Sequence, residues 1–489
     1  MLQEAGLEWA KRLKVMAKGV EMWGKHLKPA GRVGVSSYGG EMQGLKRPKI
    51  VVTPPGPKAK EFIKRDHAVT SQSLTRTAPL VGVEEEGVWV KDIDGNVFMD
   101  FSSGIAVTNV GHKHPKVVEA IKRQSDKLLF INSCDFYTLP QVELAERLCE
   151  ITPGKFKKKV FFGNSGTEAV EGALKIAQWH TRNFYVISFI GGFHGRTMGS
   201  LQLTTTGVAS RRHFKGMMHG VFHVPYAYCY RCPFKQEYPD CGMWCVGYIE
   251  DIMLKKVIPP DDMSCLLVEP IQGAAGYIVP PDDYLPALQK LCKKNGIIFI
   301  DDEVQTGFCR TGKWFACEHW GVEPDIMTLS KAIAAGLPCG AVVAKEELMD
   351  WEAGAHENTL GGNPVVCEAA LAVLEILKKE KLDQNAAKVG AFLLKRFKEI
   401  AETNEIIGDV RGKGMMVGIE FVKNRDTKEP AREIRDVVLE EAFKRGLVLL
   451  GAGPCSLRLA PPLILTQEQA EVGLEIFEEV LKKVTTKTE

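Results

Sequence analysis

Between about Pro115 and Lys345, short apolar runs alternate with helical stretches. The runs are "KVFFG", "YVISFIGG", "CLLVEP", "GIIFIDDE", "DIMTLS" and "CGAVVAK". This alternation predicts a largely parallel sheet covered by helices, an α/β architecture. Upstream, "GVWVKDIDGNVFMDF" places two alternating strands around an Asp-Gly turn, a hairpin signal. Before it, "VVTPPGPKAKEF" is proline-rich and then basic, an entry segment. Beyond about Glu346, amphipathic helices such as "EAALAVLEILKKEKL" lead into "GDVRGKGMMVGIEFV" and "CSLRLAPPLIL", which read as strands. The pattern divides the chain into an extension over 1–41, an N-terminal segment over 42–110, a large domain over 111–345 and a smaller α+β domain over 346–489. The N-terminal segment is expected to pack with the small domain.

The extension carries "LEWAKRLKVMAKGVEMWGKHLK", apolar at helical spacing and rich in lysine. Three readings fit: an upstream start with the working protein beginning near Met42, an accessory helix, or a targeting or membrane-surface segment. Acidic residues and little serine count against targeting.

Composition narrows the function classes. The 489 residues are 45% hydrophobic and 25% charged, with a formal net charge of +2. So small a charge provides no global field for nucleic acid or an anionic membrane. No apolar run approaches the ~20 residues a membrane-spanning helix needs. Thirteen scattered cysteines do not resemble a secreted disulfide scaffold, so a reducing, cytoplasmic setting is expected. Four of them, Cys229, Cys232, Cys241 and Cys245, fall in "CYRCPFKQEYPDCGMWC" as C-x-x-C then C-x-x-x-C. That spacing suits a structural zinc. Reduced thiols fit as well, and disulfides fit least. The stretch is an insertion-like loop leading into a predicted helix, "CVGYIEDIMLKK".

In open α/β sheets, sites form beyond the carboxyl ends of the strands. After "VFF" comes "GNSGTEAVEGALKIA", a small-residue turn opening a helix. Its backbone N–H groups, with the Ser165 and Thr167 hydroxyls, suit a phosphate, although a capping box explains the pattern as well. Asp302 ends "GIIFID" and Lys331 follows "DIMTLS". A buried lysine with a depressed pKa attacks carbonyls, and a carboxylate can hold a protonated ring nitrogen. Phosphate, aldehyde carbon and ring nitrogen are the handles of pyridoxal phosphate.

The ordered set "FSSGIAVTNVGHKHPKV", "GNSGTEAVEGALK", "GGFHGRTMGSL", "VEPIQG", "DDEVQTGFCRTG", "SKAIAAG", "NTLGGNP" and "RLAPPL" resembles the class III pyridoxal-phosphate aminotransferases. That group contains 4-aminobutyrate, ornithine and acetylornithine aminotransferases, and the likeness runs from about Pro54 to the C-terminus. The fold it implies is the fold-type I pyridoxal-phosphate-dependent transferase. It implies that Lys331 forms the Schiff base with the cofactor and that Asp302 pairs with the ring nitrogen. Ser165, Gly166 and Thr167 would take the phosphate, and His194 would lie at the cofactor. Phe193 and Val304 would press the ring faces, and Gln305 would meet the phenolic oxygen. Thr359 matches a position that reaches the phosphate of a neighbouring subunit, which implies a homodimer. Arg196 and Arg458 would clamp substrate carboxylates; Ile105 would form an apolar wall, and Glu269 would lie elsewhere in the pocket.

One departure bears on substrate. The 4-aminobutyrate and ornithine enzymes usually carry Glu after "EPIQG", masking the C-terminal arginine when the substrate lacks an α-carboxylate. Here the residue is Ala274. Arg458 is then expected to stay free for an α-carboxylate, as in transfer from an amino acid to a 2-oxo acid such as 2-oxoglutarate. An amino-acid racemase or epimerase on the same scaffold is the alternative. It needs a second acid/base group, and Ala274 removes one candidate. A zinc-dependent binding protein on a degenerate scaffold is opposed by the intact Lys331 and Asp302.

Overall fold

The computed structural model describes Met42, residues 44–214 and residues 219–485. The expectations for residues 1–41 lie outside the described residues. Among the described residues no helix is long and apolar enough to cross a membrane.

Strands β1 (Gly82–Glu86), β2 (Trp89–Asp92) and β3 (Val97–Asp100) form a meander containing the expected hairpin. Trp89 pairs with Met99 and Lys91 with Val97 across β2 and β3. The Asp92 carboxylate accepts from the backbone N–H groups of Asp94 and Asn96 at 3.0 and 2.8 Å. That local bonding is what favours Asp in a turn, and it holds the hairpin register.

All six apolar runs become strands of one seven-stranded sheet: β4 (Lys158–Gly163), β5 (Tyr185–Phe189), β7 (Met263–Val268), β8 (Ile298–Asp302), β9 (Ile326–Leu329) and β10 (Gly340–Lys345). The seventh, β6 (Val221–Val224), pairs parallel with β5 at the sheet edge; three half-buried residues and one buried valine left little pattern to read. The order is β4-β10-β9-β8-β7-β5-β6, and only β10 runs against its neighbours. The helix Gly166–Thr181 buries Ala169, Val170, Ala173, Leu174, Ile176 and Ala177 against this sheet. Its alanines let it lie close, and each fully buried Ile, Leu or Val adds roughly 1.5–3 kcal/mol.

The C-terminal part has β11 (Ile407–Lys413), β12 (Met416–Phe421), β13 (Leu447–Val448), β14 (Leu450–Ala452) and β15 (Ser456–Leu459). An antiparallel sheet of order β11-β12-β15-β14 forms from four of them. Strand β13 instead pairs in parallel with β3, placing Leu447 beside Met99. The N-terminal meander is therefore completed by the C-terminal region. Arg310, fully buried, ties these parts together. Its guanidinium donates to Met415 O at 3.1 Å, to Pro461 O at 2.6 Å and to the Asn109 side chain.

The cysteine stretch gives the zinc expectation no support. All thirteen cysteines are free thiols. Cys229, Cys232, Cys241 and Cys245 line one cavity of about 20 Å³, but no three of their sulfurs lie within 4.8 Å of one another. The one group of three ligand atoms within 4.8 Å of one another, among the described residues, is Asp301, Glu303 and Cys317. Cys245 turns its thiol to Met243 Sδ at 3.5 Å, and burial pushes its pKa to about 12. The stretch is anchored at its start, where Tyr228 and Arg231 both donate to the buried Glu420 carboxylate on β12. The predicted helix forms as an α-helix over Trp244–Tyr248 that continues in wider π-type turns to Val257.

Candidate active site

A cavity of about 980 Å³ opens beyond the carboxyl ends of β8 and β9. Ile105, Phe193, Arg196, Gln305, Lys331 and Arg458 line it, and Ala274 forms part of the same wall. Sequence positions spread over more than three hundred residues thus meet at one sheet edge.

Lys331 leaves β9 in the left-handed region, at φ 41°. Burial holds its amine below the usual lysine range, while Asp302 and Glu269 act in the opposite sense and Arg458 adds to the lowering. A lysine so placed has a larger fraction of free amine at neutral pH, the form that reacts with a carbonyl.

Asp302 ends β8 and is buried. Its Oδ2 lies 2.7 Å from His194 Nδ1, and its Oδ1 accepts from Thr328 Oγ1 at 3.0 Å and Val304 N at 3.1 Å. An ionised carboxylate only accepts, so His194 carries its proton on Nδ1. Three bonds leave one lone-pair direction open, enough for a protonated ring nitrogen. Thr328 was invisible to sequence reasoning because threonine is an ordinary strand residue. Its register gives it away, since Thr328 pairs directly with Asp302 across β9 and β8.

Ser165 caps the helix Gly166–Thr181, its hydroxyl accepting from Glu168 N at 3.3 Å. A Cβ on Gly166 would meet Val304 Cγ1 at 2.8 Å and Ser330 Cβ at 3.4 Å. The helix start therefore sits against the residue before Lys331 and against Val304, and only glycine permits that approach. Thr167 Oγ1 meets the hydroxyls of Ser200 at 2.6 Å and Thr197 at 2.8 Å. The ends of this helix and of the two strands form a cradle of backbone N–H groups and hydroxyls suited to a phosphate.

The buried Glu269 accepts from Phe193 N at 2.9 Å and Gly273 N at 2.8 Å, fixing two pocket loops with one side chain. Burial raises its pKa. The Arg196 guanidinium is exposed and lies 5.3 Å from the Phe193 ring centre. Gln305 Oε1 is buried with no hydrogen-bond partner among the described residues, so it asks for a donor from a ligand. Arg458 makes no ion pair among the described residues, and its Nε is likewise buried without a partner. Thr359 is exposed, beside Asn358, and does not line the cavity.

Ile105 reaches the cavity from an unusual turn. Ser103, Gly104, Ile105 and Ala106 have φ of 49°, 60°, 69° and 58°. For residues other than glycine this left-handed conformation costs about 1–2 kcal/mol each, so the surroundings must enforce it.

A reactive amine, a braced carboxylate, a phosphate cradle and an orphaned acceptor are the donor set that pyridoxal phosphate needs, and the residues fit that group.

Comparison with known proteins agrees. The sequence profile described as "Aminotransferase class-III" matches residues 71–481. The chain is 41% identical to an alanine/serine racemase of Pyrococcus horikoshii, covering 90% of this chain and 94% of that protein. It is 38% identical to a probable 4-aminobutyrate aminotransferase of Bacillus subtilis, over 86% and 96% of the two chains. An amine transaminase from an uncultivated Pseudomonas species, solved in its PLP-bound form, superposes with a TM-score of 0.79 at 31% identity. That match covers 85% of this chain and 98% of the other. The fold is that of the fold-type I transaminases, and the chain belongs to the class III aminotransferases, a family of pyridoxal-phosphate-dependent enzymes.

Proposed function

We propose that this enzyme transfers the amino group of an α-amino acid to a 2-oxo acid, with 2-oxoglutarate the expected acceptor, in a ping-pong cycle. One observation carries the reading: Arg458 lines the Lys331 cavity without an acidic partner among the described residues, and the adjoining wall is the methyl group of Ala274. A free guanidinium fork there matches an α-carboxylate.

Bound pyridoxal phosphate supplies an aldehyde carbon for amine exchange and a ring that accepts the electrons left by the departing α-proton. Lys331 Nζ takes that proton, its lowered pKa keeping it able to accept. Asp302 would hold the ring nitrogen protonated, and His194 and Thr328 aim its carboxylate. Ser165, Gly166 and Thr167 would bind the phosphate at the helix start. Phe193 and Val304 would press the two ring faces, and the Gln305 amide would hold the phenolic oxygen. Arg458 takes the α-carboxylate and Arg196 the distal carboxylate of a dicarboxylic partner. The exposed Thr359 and Leu360 suit a homodimer in which Thr359 of one copy completes the phosphate site of the other.

A racemase reading is favoured by the 41% identity to the alanine/serine racemase. Racemisation returns a proton to the opposite face of the α-carbon, and Ala274 offers no group to carry it. Transfer is therefore preferred. A donor panel with 2-oxoglutarate tests the substrate class: α-amino acids are expected to yield glutamate faster than 4-aminobutyrate, and turnover of ω-amino donors alone would overturn the reading.

A further inference from the structure

The Ile105 turn is held from outside the cavity. The Asp100 Oδ1 atom accepts from Ser102 N at 2.7 Å and from Ser102 Oγ at 2.6 Å. Ser102 O in turn receives the N–H groups of Ile105 and Ala106, both at 2.9 Å. On the other side Ser103 Oγ donates to Ala460 O at 2.5 Å, and Ala460 N donates to Phe101 O at 2.8 Å. Ala460 lies two residues beyond Arg458, so the turn and the arginine strand form one hydrogen-bonded unit.

Behind Asp100 stands His112. Its Nε2 lies 2.8 Å from Asp100 Oδ2, and its Nδ1 lies 2.8 Å from Glu85 Oε2. An imidazole that donates to two carboxylates must be doubly protonated. The backbone of His112 is bonded in both directions to Gly87, at 2.8 and 3.0 Å. A Cβ on the preceding Gly111 would meet Ile464 Cδ1 at 2.5 Å, so the chain leading into His112 is closely packed. Without the imidazolium, Asp100 and Glu85 would face each other unpaired, and Asp100 would lose the partner that orients it toward Ser102.

We propose that His112 is a positioning residue for substrate selection: through Asp100 and Ser102 it fixes the strained turn that sets Ile105 in the wall of the cavity that Arg458 also lines. It touches neither substrate nor cofactor. The inference rests on the aminotransferase reading only for the reaction used to follow it.

The test is a double-mutant cycle on the holoenzyme, with His112→Gln, Ile105→Ala and the pair, measuring KM and kcat for amino donors of small and large side chain. His112→Gln is expected to raise KM about ten-fold with kcat little changed and the bound cofactor's visible absorbance intact. The double variant is expected to be no worse than the more affected single one, because both changes act on the same wall. Additive effects, or a His112→Gln variant of lower thermal stability but unchanged KM, would overturn the proposal. Ser102→Ala reads the same relay from its other end and is expected to raise KM in the same direction; an unchanged KM there counts against it. Should wild-type enzyme invert amino acids rather than transfer their nitrogen, the same cycle is read on inversion, so the two readings fail separately.

Discussion

His194 Nδ1 and Asp302 Oδ2 lie 2.7 Å apart, both side chains buried, where β8 ends at the Lys331 cavity. The imidazole gives the carboxylate a fixed direction without neutralising it. Asp302→Asn keeps the shape and removes the charge, so kcat is expected to fall by a factor of about 10²–10⁴ with the protein still folded. His194→Gln, which retains one donor, is expected to cost far less. Steady-state kinetics with the cofactor at saturation separates the two, and equal losses would show that orientation matters as much as charge.

Ala274→Glu places a carboxylate on the wall shared with Arg458. The engineered acid is expected to raise KM for α-amino acids roughly 10–100-fold, the value of one charge-assisted bidentate contact. Donors lacking an α-carboxylate should improve relative to wild type. If the α-amino acid KM is unmoved, Arg458 is not the carboxylate clamp.

Arg310 carries its charge in the interior, where burial lowers its pKa to about 10. Arg310→Met leaves Met415 O, Pro461 O and the Asn109 amide oxygen without their donor. A loss of about 3 kcal/mol in unfolding free energy is expected, since each unsatisfied buried acceptor costs roughly 1–3 kcal/mol and removal of a buried charge offsets part of the sum. Urea unfolding measures it.

His112 gives a pH signature. Burial lowers its pKa, but Asp100 and Glu85 outweigh that and raise it to about 9. The folded state holds a proton that the unfolded chain releases near 6.5. The stabilisation is thus complete below about pH 6.5 and is lost as pH rises through about 9, amounting to about 3 kcal/mol. Urea midpoints of wild type should fall over this window, and those of His112→Gln should not share the fall.

Much of the site was legible because chemistry follows apolar runs. Asp302 and Lys331 stand out as ionisable residues closing strands, and each of the six runs forms a strand of the large sheet. What escaped is short, ordinary or non-local. Strands β6 and β13 have four and two residues, too few for a period. Thr328 looks like any strand threonine until pairing sets it opposite Asp302. The left-handed turn at 103–106 contains a single glycine, so nothing local announces it; the bonds from Asp100 and Ala460 impose it. Cysteine spacing is a weak guide for a related reason. It measures separation along the chain, whereas Cys245 turns its sulfur to Met243.

The measurement closest to the central claim follows nitrogen and chirality together. Purified enzyme is incubated with pyridoxal phosphate and ¹⁵N-labelled L-amino acids, with and without 2-oxoglutarate, and compared with Lys331→Ala. The account predicts ¹⁵N-glutamate with the oxo acid, no D-amino acid without it, and no product from the variant. Inversion to the D-amino acid in the absence of any oxo acid, with no label reaching glutamate, would contradict it.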